Sequence, residues 1–273
     1  MILLKEKGTT KSLGKKSKND KFYTKESIVK ELLSLINLKE YNYIIEPSAG
    51  NGAFSKNIEN CIALDIEPEE DKIIKQDFFS FVLNKQKETD RILVIGNPPF
   101  GQQAKLAIDF FNYAASFCDT IAFILPKSFK KSSIQNRINL NFHLFFEKDL
   151  PENSFLLNGE DYSVPCVFQI WKKQPKERKK IKLPTTSFLF DFTIEVDKAD
   201  FRVQRVGGNA GKAFIDKNGA KSSNYYLINK SKYTTEELVE TINKIEFPGI
   251  TDTVGPKSLP KGEFILELEE KLK

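Results

Sequence analysis

The sequence predicts an α/β protein: a doubly wound, Rossmann-like class I sheet, mostly parallel with an antiparallel edge hairpin, followed by a small α+β C-terminal domain. Short apolar runs of strand length, "YIIEP", "CIALD", "KIIKQD", "RILVIGN" and "TIAFILP", recur at regular intervals, and most end in an acidic or polar residue. Helical patterns separate several of them, which requires parallel pairing through crossovers and a sheet covered on both faces. Two later runs, "NFHLFFEKDL" and "VPCVFQIWKK", have little helical pattern between them and read as the edge hairpin.

Taken in order, residues 1–20 contain "KEKGTTKSLGKKSKND" and read as a flexible basic arm. "YTKESIVKELLSLINL" predicts a helix with Ile28, Leu32, Leu35 and Ile36 on one face and Thr24 as its N-cap. The apolar runs follow, with Leu106, Phe110, Tyr113 and Phe117 on one helical face between the last two. The loop "PENSFLLNGEDYS" joins the hairpin strands, so residues 21–175 form the first domain. Lys172 to Lys182 carries seven positive charges against Glu177 alone, and Pro184 closes the linker. In residues 185–273, "FLFDFTIEV", "FRVQRVGG" and "SNYYLINK" read as strands, and "TTEELVETINKI" and "GEFILELEEKLK" as helices.

Composition narrows the class. A chain of 273 residues with 40% hydrophobic content buries a full core, which excludes disorder throughout. The excess of 42 Lys and Arg over 37 Asp and Glu, +5, permits a polyanionic partner through its two clusters without demonstrating one. Cys61, Cys118 and Cys166 are far apart in apolar segments, so neither a disulfide framework nor a metal site is predicted. "MILL" runs straight into charges and no apolar stretch reaches membrane-span length, which predicts a cytoplasmic protein without membrane attachment.

In open α/β sheets the ligand crevice lies at the carboxyl ends of the strands. The first strand ends in "EPSAGNGAF", where Gly50 and Gly52 allow a tight turn suited to a dinucleotide, a phosphate or S-adenosylmethionine. The second ends at Asp65, beside Ile66, placed to accept from a ribose diol. The third gives Asp77 beside Phe78, an acceptor next to an apolar wall, and together these suit an adenosine. The fourth ends in "NPPF", Asn97 to Phe100, where two prolines stop the strand and fix a carbonyl direction.

"NPPF" after an apolar strand, with "EPSAGNGAF" about 50 residues earlier, resembles the S-adenosylmethionine-dependent amino-methyltransferases, and "KFYTKESIVKELL" is similar to the N-terminal cofactor motif of the DNA adenine methyltransferases. The resemblance covers residues 21 to about 173. It implies that Glu46, Ser48, Ala49, Gly50 and Gly52 line the methionine part of the cofactor, Asp65 the ribose, and Asp77 with Phe78 the adenine. Phe22, Tyr23 and Thr24 would close over the methionine end, although Lys25 stands where proline is frequent. Asn97 and Pro98 would accept from the adenine amine, with Pro99 fixing the turn and Phe100 stacking on the extruded base.

The implied activity is adenine-N6 methylation of DNA, with the C-terminal domain corresponding by position to the target-recognition region; Arg202, Arg205 and Lys212 are its candidate nucleic-acid contacts. Such an enzyme could act as a monomer or homodimer, alone or beside a separate restriction endonuclease. The same motif also fits methylation of an exocyclic adenine or guanine amine in RNA, and a non-catalytic nucleic-acid-binding module on this fold is the third reading. Three other signals are set aside. Pro165-Cys166 lies within a late strand and reads as core, and the lone His143 reads as structural. "GGNAGKAF" has Val206 and Ala213 where a phosphate loop needs glycine and Ser or Thr.

Overall fold

The computed structural model describes residues 22–272. The basic arm expected over residues 1–20 lies outside the described residues. The chain begins with β1 (Tyr23–Thr24) and α1 (Glu26–Leu33), where Ile28, Val29 and Leu32 recur at helical spacing and are buried. Thr24 is not the N-cap: the helix starts after Lys25 without a side-chain cap, because Thr24 is held extended opposite Phe155. Leu35 falls beyond the helix end and is exposed.

Next come β2 (Tyr43–Glu46), β3 (Ile62–Asp65), β4 (Ile74–Lys75) and β5 (Ile92–Gly96). Helix α2 (Lys105–Ala115) leads to β6 (Thr120–Pro126), and the short α3 (Ser132–Gln135) leads to β7 (Phe142–Asp149). A small hairpin of β8 (Phe155–Leu157) and β9 (Glu160–Tyr162) precedes β10 (Cys166–Lys173) and pairs with β1. The seven-stranded sheet has the order β4-β3-β2-β5-β6-β10-β7, and β10 is antiparallel to both neighbours while the other pairings are parallel. This is the Rossmann-like sheet with an antiparallel edge that the sequence predicts.

Its two faces carry separate cores. Ile45, Val94, Ile121 and Phe123 pack with Ile108 and Phe111 of α2, whereas Ile44, Leu93, Ile95 and Ile124 pack with Ile28, Val29 and Leu32 of α1. Alternation of side chains along each strand sends neighbours to opposite faces, and each fully buried Ile, Leu or Phe contributes about 1.5–3 kcal/mol. The glycine-rich turn after β2 leads into a 3₁₀ turn at Ser55–Asn57, since only residues 55–61 then remain before β3.

Residues beyond the linker build a second sheet from β11 (Phe190–Thr193), β12 (Phe201–Gln204), β13 (Ala213–Phe214) and β14 (Asn224–Asn229), in the order β11-β14-β12-β13. Helices α4 (Thr235–Lys244), opened by a Thr234–Glu237 capping box, and α5 (Lys261–Lys271) cover it. Their core includes Phe190, Phe201, Leu227, Leu238, Phe264 and Leu268. This C-terminal unit touches the first through Lys131, whose Nζ donates to the Ser258 carbonyl at 3.2 Å. Among the described residues, no helix is long and apolar enough to cross a membrane.

Candidate active site

A cleft of about 870 Å³ opens at the carboxyl ends of β2, β3, β5 and β6. One side is built by two buried carboxylates that hold the turn following β2. Glu46 accepts from the amides of Phe54 at 3.1 Å and Ser55 at 2.7 Å, and Asp65 accepts from Gly50 at 2.7 Å and Glu67 at 2.8 Å. Burial pushes the Glu46 carboxyl up to about 6, against the pull of those amides. Gly50 and Gly52 take φ of +56° and +75°, which a side chain would strain, and Ser48 also has positive φ. The resulting turn presents Ser48, Gly50 and Asn51 to the cleft, with exposed Ile66 beside Asp65.

β1 closes one wall. Its pairing with β8 fixes Tyr23 and Thr24, and the Tyr23 hydroxyl donates to Glu69 at 2.6 Å, tying β1 to the loop after β3. Burial, reinforced by Glu69, pushes the Tyr23 hydroxyl up to about 12. Phe22 packs edge-on against Phe100 with ring centres 5.9 Å apart.

The opposite wall is the "NPPF" turn. β5 is buried throughout, so Asn97 emerges from the sheet directly into the cleft, followed by buried Pro98, exposed Pro99 and half-buried Phe100. Asn97 Nδ2 donates weakly to Thr24 Oγ1 at 3.4 Å, which directs the amide oxygen elsewhere. That oxygen is buried and has no hydrogen-bond partner, and the same holds for Asn51 Oδ1. A buried acceptor without a donor costs about 1–3 kcal/mol, so two of them lining one cleft mark places where ligand donors belong.

The cleft thus gathers Phe22, Tyr23, Thr24, Glu46, Ser48, Gly50, Asp65, Ile66 and Asn97 to Phe100 from the sequence expectations. Ala49 and Gly52 lie under the turn: Ala49 packs with Ala63 and Ile73, and a Cβ at Gly52 would stand 3.0 Å from Ser55 Oγ. Asp77 and Phe78 are not brought to the cleft. The Asp77 carboxylate caps the following 3₁₀ turn through Phe79, and Phe78 is buried in the core against Phe110 and Tyr113.

Of the expected nucleic-acid residues, Arg202 needs correction. Arg202 is buried and engaged with Asp216 at 3.0 Å and Asn224 at 2.9 Å, so its charge is spent within the fold. Arg205 lies over the Tyr225 ring, with its Nε buried and unpartnered, and exposed Lys212 donates to the Asn243 carbonyl at 3.0 Å. Cys166 is buried, and burial pushes its thiol well above the ordinary range. His143 Nε2 pairs with the Lys176 carbonyl at 2.8 Å, and "GGNAGKAF" is the end of the turn after β12 together with β13 itself. Among the described residues, no group of three or more His, Cys, Asp or Glu could hold a metal ion.

Several cleft residues escaped the sequence reading. Ser128 and Lys131 follow the fifth strand end, whose position alone makes them candidates. Burial pulls the Lys131 ammonium below its ordinary range. Asp252, Thr253 and Val254 reach the cleft from the C-terminal unit, a placement that only tertiary packing creates.

No protein-family model matches the chain. Among curated proteins, it is similar to the ribosomal RNA small subunit methyltransferase A of Flavobacterium johnsoniae, at 23% identity over 209 residues, covering 61% of this chain and 80% of that protein. Among solved structures, it is similar to the 23S rRNA methyltransferase ErmE, with a TM-score of 0.42 and 12% identity, covering 57% of this chain and 71% of that one.

Proposed function

We propose that the chain is an S-adenosylmethionine-dependent methyltransferase that modifies the exocyclic amine of adenine in RNA. The observation that carries this reading is the buried, unpartnered Asn97 Oδ1 at the end of β5. An exocyclic amine is a planar, weakly nucleophilic donor. A fixed acceptor can hold it, favour a pyramidal nitrogen and stabilise the positive charge that develops on transfer. Asn97 Oδ1 and the Pro98 carbonyl supply those acceptors, Thr24 keeps the amide oriented, and Phe100 offers a ring for the base.

The other half of the cleft suits the cofactor. Asp65 lies where a ribose diol could donate, Ile66 offers an apolar surface for a purine, and Ser48, Gly50 and Asn51 present polar groups for the methionine end. When bound, S-adenosylmethionine supplies an electrophilic methyl group. The chain's own residues position the amine, whose nitrogen lone pair would take the methyl directly as the carbon–sulfur bond breaks and then release a proton to solvent, so no covalent intermediate on the protein is required.

RNA is preferred to the DNA substrate implied by the sequence resemblance because the curated relative is named as a ribosomal RNA methyltransferase. The test is tritium transfer from labelled S-adenosylmethionine to total RNA, duplex DNA and protein, followed by nucleoside analysis. N6-methyladenine in RNA that disappears with Asn97→Ala supports the reading. Label confined to DNA restores the DNA alternative, and label in protein or no transfer at all overturns adenine methylation.

A further inference from the structure

A second hollow, of about 470 Å³, lies on the outer edge of the large sheet. β7 is an edge strand, and its register with β10 shifts so that Ile170 pairs with Phe146 and Trp171 with Leu144, leaving Phe145 opposite no residue. This bulge turns Phe145 outward, 65% exposed, with the Lys172 ammonium 3.7 Å from its ring centre. Lys176 stands at the same hollow, and its carbonyl is fixed by His143. An exposed ring on a sheet edge, surrounded by lysines, is an unusual use of surface for a solvated strand.

The basic linker connects this hollow to the cleft. Its backbone is pinned along residues 136–141: Gln174 N donates to Asn141 O at 2.8 Å, Arg178 N to Leu140 O at 2.8 Å, and Ile181 N to Asn136 Oδ1 at 2.9 Å. The same segment continues back to Ile134 and Lys131, which line the cleft. Arg178 is consumed structurally, donating to the Phe142 carbonyl and stacking on Trp171. Lys176, Lys179, Lys180 and Lys182 remain exposed along the path. Eleven residues separate Ile134 from Phe145, so this path is at most about 40 Å long, a span that several nucleotides of extended strand can follow.

We infer that the linker is a basic rail for unpaired RNA flanking the target adenosine, ending where a base stacks on Phe145. The inference rests on the nucleic-acid reading of the cleft. Lysines tracking a backbone and an aromatic ring receiving a base are the two components of sequence-tolerant single-strand binding. The rail explains how an appended chain segment could contribute to substrate binding although Arg202 is occupied.

Fluorescence anisotropy tests it directly, using labelled oligoribonucleotides of about four and about sixteen nucleotides containing adenine. Phe145→Ala should weaken binding of the longer oligomer about tenfold and leave the shorter unchanged, while Phe145→Tyr should restore it. Removing Lys176, Lys179 and Lys180 together should lower the salt-dependence slope by about two. Unchanged melting temperatures check that the variants fold. The rail is overturned if both variants bind the longer oligomer as the parent does, if they lose short and long equally, or if Phe145→Ala only abolishes self-association. Since binding is read without transfer, oligomers held on the rail but never methylated would sink the proposed activity and leave the rail standing.

Discussion

Two turns at neighbouring strand ends solve opposite problems. The turn after β2 uses positive-φ residues and two carboxylates that accept from the amides of Gly50, Phe54 and Ser55. The turn after β5 uses two prolines to hold Asn97 with its oxygen unsatisfied. The first is a cradle whose backbone is already tied into the fold, with Asn51 Oδ1 left as its one buried acceptor without a donor. The second leaves the Asn97 oxygen without a donor, and that missing hydrogen bond is the one a substrate can make. A mutation in the cradle should therefore affect affinity and stability, whereas one in the clamp should affect rate.

The largest separation is expected from Asn97→Ala. It removes the proposed acceptor and should lower kcat by roughly 10²–10³-fold, while cofactor Kd measured by calorimetry stays within a few-fold. Equal losses in both quantities would erase the distinction between the turns. Asp65→Asn should reverse the pattern, weakening cofactor binding by about ten- to a hundredfold because the charge-assisted acceptor of Gly50, and the one proposed for the ribose, is lost. Equilibrium binding against saturated-rate measurements decides this.

The pH dependence of stability is a further test of the cradle. The Glu46 carboxyl titrates near 6 in the fold, above its ordinary value, so the folded chain binds a proton more tightly than the unfolded one. Its contribution to stability is fully present below the unfolded pKa and is lost as pH rises through about 6. Denaturation of the parent relative to Glu46→Gln should show a stability difference that falls by about 2 kcal/mol between acid and neutral pH. A flat difference would mean that the carboxylate is adequately solvated. The smallest effect is expected from Gly52→Ala, where positive φ costs about 1 kcal/mol and the contact with Ser55 adds a little. Thermal melting should report it, with cofactor affinity reduced only a few-fold.

The sheet was legible because apolar runs and strand-end residues obey local rules, and so was the placement of Asn97, Gly50 and Asp65 at the cleft. Phe78 was misplaced because an aromatic at a strand end can face the crevice or the core, and here α2 supplied Phe110 and Tyr113 as packing partners. Arg202 illustrates the same limit for charge: Asp216 and Asn224 come from other segments, and nothing near Arg202 in the chain announces them. Thr24 has the residue type of an N-cap but pairs with Phe155, more than a hundred positions away. Asp252 to Val254 reach the cleft only through packing of the C-terminal unit.

The most direct measurement is single-turnover methyl transfer to an adenosine-containing RNA, followed in parallel with cofactor binding for the parent, Asn97→Ala and Thr24→Val. The clamp predicts N6-methyladenine from the parent, near-complete loss of transfer with intact cofactor binding for Asn97→Ala, and a smaller loss of about tenfold or less for Thr24→Val, which only orients the amide. Transfer by Asn97→Ala at the parental rate would contradict it, whatever the substrate proves to be.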